Sequence, residues 1–168
     1  MTAPEEERQR LVRLLDLVAR EDEHLLAVRG RFLGDDCSVD ADRLQHLLAD
    51  DIGIDRLESF GAKFPRMQDT IVDKLIPALL RTAGEQPGAA IDNLARMERL
   101  ELVAVADEWL AMRRLRYRLV HEYIDRPEDL APALERARRF TARMHDDFLA
   151  MRNYAETHLG VARAGKTP

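Results

Sequence analysis

Residues 55–81, DRLESFGAKFPRMQDTIVDKLIPALLR, carry Leu57, Phe60, Phe64, Met67, Ile71, Leu75 and Leu79 at spacings of three and four. That interval puts one apolar side chain per turn on a single helical face, whereas a half-buried strand would alternate. Pro65 and Pro77 lie inside the stretch. Each removes a backbone donor and crowds the carbonyl four residues earlier, so a kink or break is expected at both.

The same period extends in both directions. Upstream, Gly53 interrupts the pattern, a short helix is expected over Asp40 to Asp50, and Gly30 to Asp36 reads as a loop. A first long helix runs from about Pro4 to Val28, with Leu11, Leu14, Leu15, Val18, Leu25 and Val28 on one stripe. Pro4 suits a first helical turn, and Glu5, Glu6 and Glu7 favour the positive end of the helix dipole. Downstream, Gly84 to Gly88 is a turn and Ala89 to Leu100 a short helix. A helix beginning near Asp107 carries Trp109, Met112, Leu115 and Leu119 and ends before Pro127, since the residue preceding a proline is pushed from the helical region. The last helix, about Glu128 to His158, aligns Leu130, Leu134, Ala137, Phe140, Met144, Phe148 and Met151. The tail, 160–168, is expected to be disordered. No strand-like alternation, internal repeat or low-complexity tract is present. The expectation is therefore all-α: an up-and-down bundle of four long helices plus two or three short ones, forming one domain over 1–168 with an N-terminal helix over 1–30.

Composition narrows the function classes. The chain has 168 residues, 46% hydrophobic and 34% charged, with 31 acids, 26 bases and a net charge of −5. Any nucleic-acid contact must then be a local patch rather than a general basic coat. All the bases except Lys63, Lys74 and Lys166 are arginine, whose planar fork grips phosphate or carboxylate with two donors. No apolar run approaches the ~20 residues of a membrane span. The acidic N-terminus is the wrong charge for a secretory signal. Cys37 is the single cysteine, so a disulfide framework and a cysteine-based zinc site are excluded, and a reducing cytoplasm is the expected location.

Several constellations have ordinary explanations. Residues 160–167, GVARAGKT, match the phosphate-loop pattern letter for letter, but that motif needs a strand before it and a helix after it, and the chain stops at Pro168. His24, His46, His121, His145 and His158 show no H-E-x-x-H pairing, so no metal and no cofactor is expected. His145-Asp146-Asp147 reads as a solvated face, because helix neighbours point in different directions. Arg136, Arg138, Arg139 and Arg143 on the last helix are read the same way, with extension of a basic patch as the alternative.

The chemically informative segment is 113–123, RRLRYRLVHEY. Histidine is the side chain that titrates nearest neutral pH, and arginine offers a fixed charge to a phosphorane or its product. Together they suit cleavage of RNA without a metal, in which the 2′-hydroxyl attacks its own phosphate. An exposed basic helix end paired with acids is the competing reading. Positions 116 and 121, five apart on a continuous helix, would point about 140° from each other and lie about 7.5 Å apart along the axis. Convergence on one phosphate thus calls for a helix break near His121, for two subunits about a two-fold axis, or for both.

Arg116, His121 and Tyr123 fit the R-x-x-x-x-H-x-Y signature, and in this the chain resembles HepT-like proteins of the HEPN superfamily. Trp109, Leu115 and the Leu119-Val120 pair before His121 are similar too, and the likeness in helical context extends over about 57–154. The resemblance implies a HEPN-like bundle that dimerises and acts as a metal-independent endoribonuclease toxin, with a minimal nucleotidyltransferase as its antitoxin. By position, it implies that Arg116 stabilises phosphate charge, that His121 does acid–base work and that Tyr123 accepts AMP from the partner, silencing the site. Arg113, Tyr117 and Arg118 become RNA-binding or orienting candidates. Family members usually carry a small polar residue where this chain has Tyr117. A phenol can donate a hydrogen bond or stack on a base. It can equally mark a non-catalytic member that keeps only the nucleotidyltransferase interaction. A helical module with no site is the third reading.

Overall fold

Pro4 opens the first helix of the computed structural model, which describes residues 1–34, 38–121 and 126–162, with backbone alone at 117, 118, 120 and 121. Helix α1 (Ala3–Leu33) has Glu5 and Glu6 in its first turn and buries Leu11, Leu15, Val18, Leu25 and Val28. It also runs through Gly30, where a loop was expected. Burial of Phe32 and Leu33, 2% and 0% exposed, outweighs the roughly 1 kcal/mol that a helical glycine costs. The helix stops at Gly34, whose φ of +69° is left-handed.

Helix α2 (Ala41–Leu47) starts where the Asp40 carboxylate accepts the Arg43 N–H at 2.8 Å. The Arg43 side chain reaches back to donate to the Leu33 carbonyl, satisfying the end of α1. Helix α3 (Asp51–Asp69) begins earlier than its apolar stripe suggested. Asp50 caps it by accepting the Gly53 N–H at 2.8 Å, so Gly53 belongs to the first turn instead of interrupting the helix. A Cβ at Gly53 would lie 1.6 Å from the Leu47 carbonyl oxygen, so only glycine lets α2 turn directly into α3. Gly53→Ala is expected to cost about 1–3 kcal/mol, the range for forced overpacking, as a lowered denaturant midpoint.

Of the kink or break expected at each proline, the break is absent at both. Helix α3 passes Pro65 without interruption and continues as a π-helical turn, Thr70–Leu75, into α4 (Ile76–Thr82). In that turn the Ile76 N–H donates to Ile71, five residues back. Widening the turn ahead of Pro77 eases its ring away from the preceding carbonyls, so the rod swells instead of breaking. Every apolar residue that defined the 55–81 stripe is buried.

Helix α5 (Ala90–Arg99) is braced by Asn93, whose amide both accepts from the Gly88 N–H and donates to its carbonyl, at 2.8 and 3.0 Å. Helix α6 (Ala106–His121) and helix α7 (Pro127–His158) complete the order. The tail is held as far as it is described: Gly160 has φ +68° and Val161 is buried, while 163–168 lie outside the described residues.

Polar contacts fix the helix directions. Asp16, Asp22 and Arg29 of α1 meet Arg152, His145 and Thr141 of α7, so those helices are antiparallel. Arg31 and Glu21 of α1 meet Arg56 and Thr70, which makes α3 antiparallel to α1. Arg113 and Arg116 of α6 meet Asp73 and Asp69, and Gly61 faces the Leu119 carbonyl, so α6 opposes α3. Each long rod therefore opposes its neighbours, as in an up-and-down bundle; α2 rests on α7, and α5 against α6. Phe60, Phe64, Phe140 and Trp109 join α3, α7 and α6 through one chain of ring contacts, with centroids 5.2–6.3 Å apart.

Of the 145–147 triplet only Asp146 is exposed, as a solvated face requires. His145 Nδ1 lies 2.6 Å from the carboxylate of buried Asp22, and Asp147 is 5% exposed. Asp147 accepts from Trp109 Nε1 at 2.8 Å and from the Ala104 N–H at 3.2 Å. Three of the four α7 arginines are engaged by acids of the chain, Arg138 and Arg139 by Glu135 and Arg143 by Glu108, while Arg136 is exposed. Glu135 also accepts the Val39 N–H at 2.9 Å, tying α7 to the start of α2. Chiefly through the Arg138 fork, its pKa falls from 4.5 to about 2. A depressed carboxylate pKa stabilises the fold above the unfolded value and loses that contribution as pH falls through the folded one. The stability gap between the parent and Glu135→Gln is therefore expected to close between pH 4.5 and about 2, read by denaturant unfolding at each pH.

Candidate functional site

The candidate site is built on α6 and the helix it opposes. Glu98 of α5 accepts the Ala106 N–H at 2.6 Å, and Asp107 and Glu108 add negative charge to the first turn. Trp109, Met112, Leu115 and Leu119 are all buried, which fixes the rotation of α6. Arg113 and Arg116 consequently flank that stripe on the side of α3.

There both meet acids. Arg113 closes a fork on Asp73, with Nη1 to Oδ1 at 3.1 Å and Nη2 to Oδ2 at 3.2 Å, and its Nη2 is 3.6 Å from Asp69 Oδ1. Arg116 donates to that same Asp69 oxygen through Nη1. The arginine side chains are 22% and 29% exposed, against 45% and 49% for Asp69 and Asp73, so the guanidiniums form the floor of the patch and the carboxylates its rim. A shallow groove of about 400 Å³ runs along the rim, lined by Pro65, Arg66, Asp69, Thr70, Asp73 and Lys74. Behind it, the Thr70 hydroxyl donates to Glu21 at 3.0 Å. Burial pushes the Glu21 carboxyl above its usual range, against the Thr70 hydrogen bond and the charges of Arg66 and Lys74.

Helix α6 runs unbroken to His121, its last residue, so no break precedes that position. Arg116 and His121 thus hold register positions about 140° apart on one helix. Tyr123 lies outside the described residues, as does the rest of 122–125, and the side chains of Tyr117 and Arg118 are not described. Among the described residues, no three His, Cys, Asp or Glu groups cluster as a metal site requires. Among them too, no helix is long and apolar enough to cross a membrane.

Sequence reasoning missed Asp69 and Asp73. Their spacing of four, matching the spacing of three between the arginines, was a signal that both pairs occupy single faces. Nothing in the chain order said that the two faces meet. Gln68 was missed as well. It is fully buried, neither amide atom has a hydrogen-bond partner among the described residues, and seven positions from Gly61 it falls on the α3 face turned to α6. Such a group costs about 1–3 kcal/mol, so the interface beside Arg116 carries a stability penalty.

No protein-family model, curated protein or solved structure matches the chain.

Proposed function

We propose that this chain is a HepT-like endoribonuclease with a HEPN-like bundle, which cleaves RNA without a metal as a cytoplasmic homodimer. The observation that carries the reading is the Arg116, His121 and Tyr123 triplet at the end of α6 in an all-helical chain. In the reaction, a base removes the proton of a ribose 2′-hydroxyl and that oxygen attacks the adjacent phosphorus. The 5′-oxygen leaves with a proton, giving a 2′,3′-cyclic phosphate and a 5′-hydroxyl. His121 does the proton transfer, and Arg116 balances the charge that builds on the phosphoryl oxygens. Their separation in register supports a shared site in which Arg116 of one protomer works with His121 of the partner subunit.

The regulatory half of the proposal concerns Tyr123. Adenylylation by a minimal nucleotidyltransferase antitoxin would set bulk and negative charge two residues from the catalytic histidine, silencing cleavage. A second reading, a non-catalytic acceptor for that enzyme, is favoured by Tyr117 standing where the family carries a small polar residue.

The test is a labelled RNA incubated with purified protein in chelator, beside the same sequence with 2′-deoxy sugars. The expected result is cyclic-phosphate ends from the ribose substrate and none from the deoxy one. A His121→Ala variant that cuts as fast as the parent would falsify the assignment. Blank cleavage together with an AMP mass shift on Tyr123, after co-expression with the nucleotidyltransferase, would establish the second reading.

A further inference from the structure

The two arginines on the α3 side of α6 are not held alike. Arg113 commits both terminal amino groups to Asp73. Arg116 commits Nη1 alone, to an Asp69 oxygen that it shares with Arg113. Among the described residues, its Nε and Nη2 edge has no acid against it, and a guanidinium edge presents two parallel donors that match a phosphate. Asp69 sits at the last position of α3, immediately before the π turn. Its neighbour Thr70 is tied to α1 through Glu21, so Asp69 is carried by a rigid junction of two helices. The groove beside it holds Arg66 and Lys74. Arg66 and Lys74 line the groove with Asp69 and Asp73, and Arg113 and Arg116 meet those two carboxylates from α6. Cations on both flanks of the two carboxylates suit a phosphate at the groove.

We infer that Asp69 is a positioning residue: by holding one amino group of Arg116, it turns the remaining guanidinium edge toward a phosphodiester lying in the groove beside the π turn. Arg113 is faced by acid more fully, with Asp73 across both terminal amino groups and Asp69 3.6 Å from Nη2, so its role in the patch is to hold the two carboxylates. A carboxylate acting as an internal mask would instead occupy both arms of the arginine it blocks, as Asp73 does with Arg113. The inference rests on the proposed nuclease activity for its catalytic consequence, but not for its geometry.

The experiment uses the full chain as parent, Asp69→Asn and Asp16→Asn. Cleavage of a short RNA is resolved into kcat and KM, and the guanidinium ¹⁵N spectrum is recorded with the Arg116 signal assigned by its loss in Arg116→Lys. Asp69→Asn is expected to lower kcat by about 10–100-fold, the range for an outer-shell partner, with KM changed less than about threefold. Asp16→Asn, whose carboxylate pairs with Arg152 away from the groove, is expected to leave kcat within about threefold of the parent. Restricted rotation of the Arg116 guanidinium should be visible in the parent and lost in Asp69→Asn. Cleavage by Asp69→Asn at or above the parental rate would overturn the inference and make Asp69 a mask or a surface pair. Absence of cleavage by the parent would instead sink the nuclease reading, leaving the spectrum to decide. An Arg116 signal that rotates freely in the parent overturns the positioning role whatever the activity.

Discussion

Replacing Arg116 with alanine is expected to lower RNA cleavage by about 10²–10³-fold, the loss that follows removal of one preorganised donor from a developing oxyanion. The fold should survive. The ion pair with Asp69 is partly exposed on both sides, and pairs of that kind contribute about 0–1 kcal/mol. Leu115 and Leu119, which do anchor this part of α6, are untouched. Arg116→Lys should recover little of the rate, because an ammonium has neither the planar edge nor the reach to serve Asp69 and a phosphate together. Steady-state cleavage of a single-site RNA, with thermal unfolding as the control, reads both effects. A parental rate in Arg116→Ala would detach the guanidinium from the chemistry. Loss of cleavage accompanied by a large fall in Tm would assign Arg116 to the scaffold instead.

The second large effect falls on the core. Asp147→Ala is expected to destabilise the chain by about 3 kcal/mol, with Asp147→Asn costing about half as much. The carboxylate receives two donors from elsewhere in the chain, Trp109 Nε1 and the Ala104 N–H, and Trp109 is fully buried. Alanine strands the buried Trp109 donor and leaves the partly buried Ala104 N–H without its acceptor, whereas asparagine keeps one acceptor oxygen. The sign of the pH dependence follows from the environment. Burial pushes the Asp147 carboxyl up, and the Trp109 hydrogen bond opposes it. A raised carboxylate pKa means that the folded state pays for ionisation, so this group's contribution is greatest in acid and falls as pH rises through the folded value. Asp22, also raised by burial and held against His145, shares that direction, whereas Glu135 has the reverse. Urea unfolding of parent and variants measures the cost. A change below about 0.5 kcal/mol for Asp147→Ala would show that water reaches Trp109 Nε1, contrary to the burial of that ring.

Chain order alone was enough to place the four long rods, their short companions and the larger part of the core, because a period of three and four is a local property. The aligned residues of the 55–81 stripe, of α6 and of α7 are the ones that the folded chain buries. Local rules failed where a distant contact outweighed them. Gly30 stays helical because Phe32 and Leu33 find a core, Gly53 is demanded by the Leu47 carbonyl, and Pro77 is absorbed by a widened turn instead of a break. The same division holds at the site. Arg116 and His121 stood out from their chemistry and spacing, but nothing along the chain said that α3 would lay Asp69 and Asp73 across from the arginines, or that Gln68 would be shut in unpaired. Residue spacing sets which groups share a face; which faces meet depends on the packing of helices far apart in sequence, and that is decided when the bundle closes.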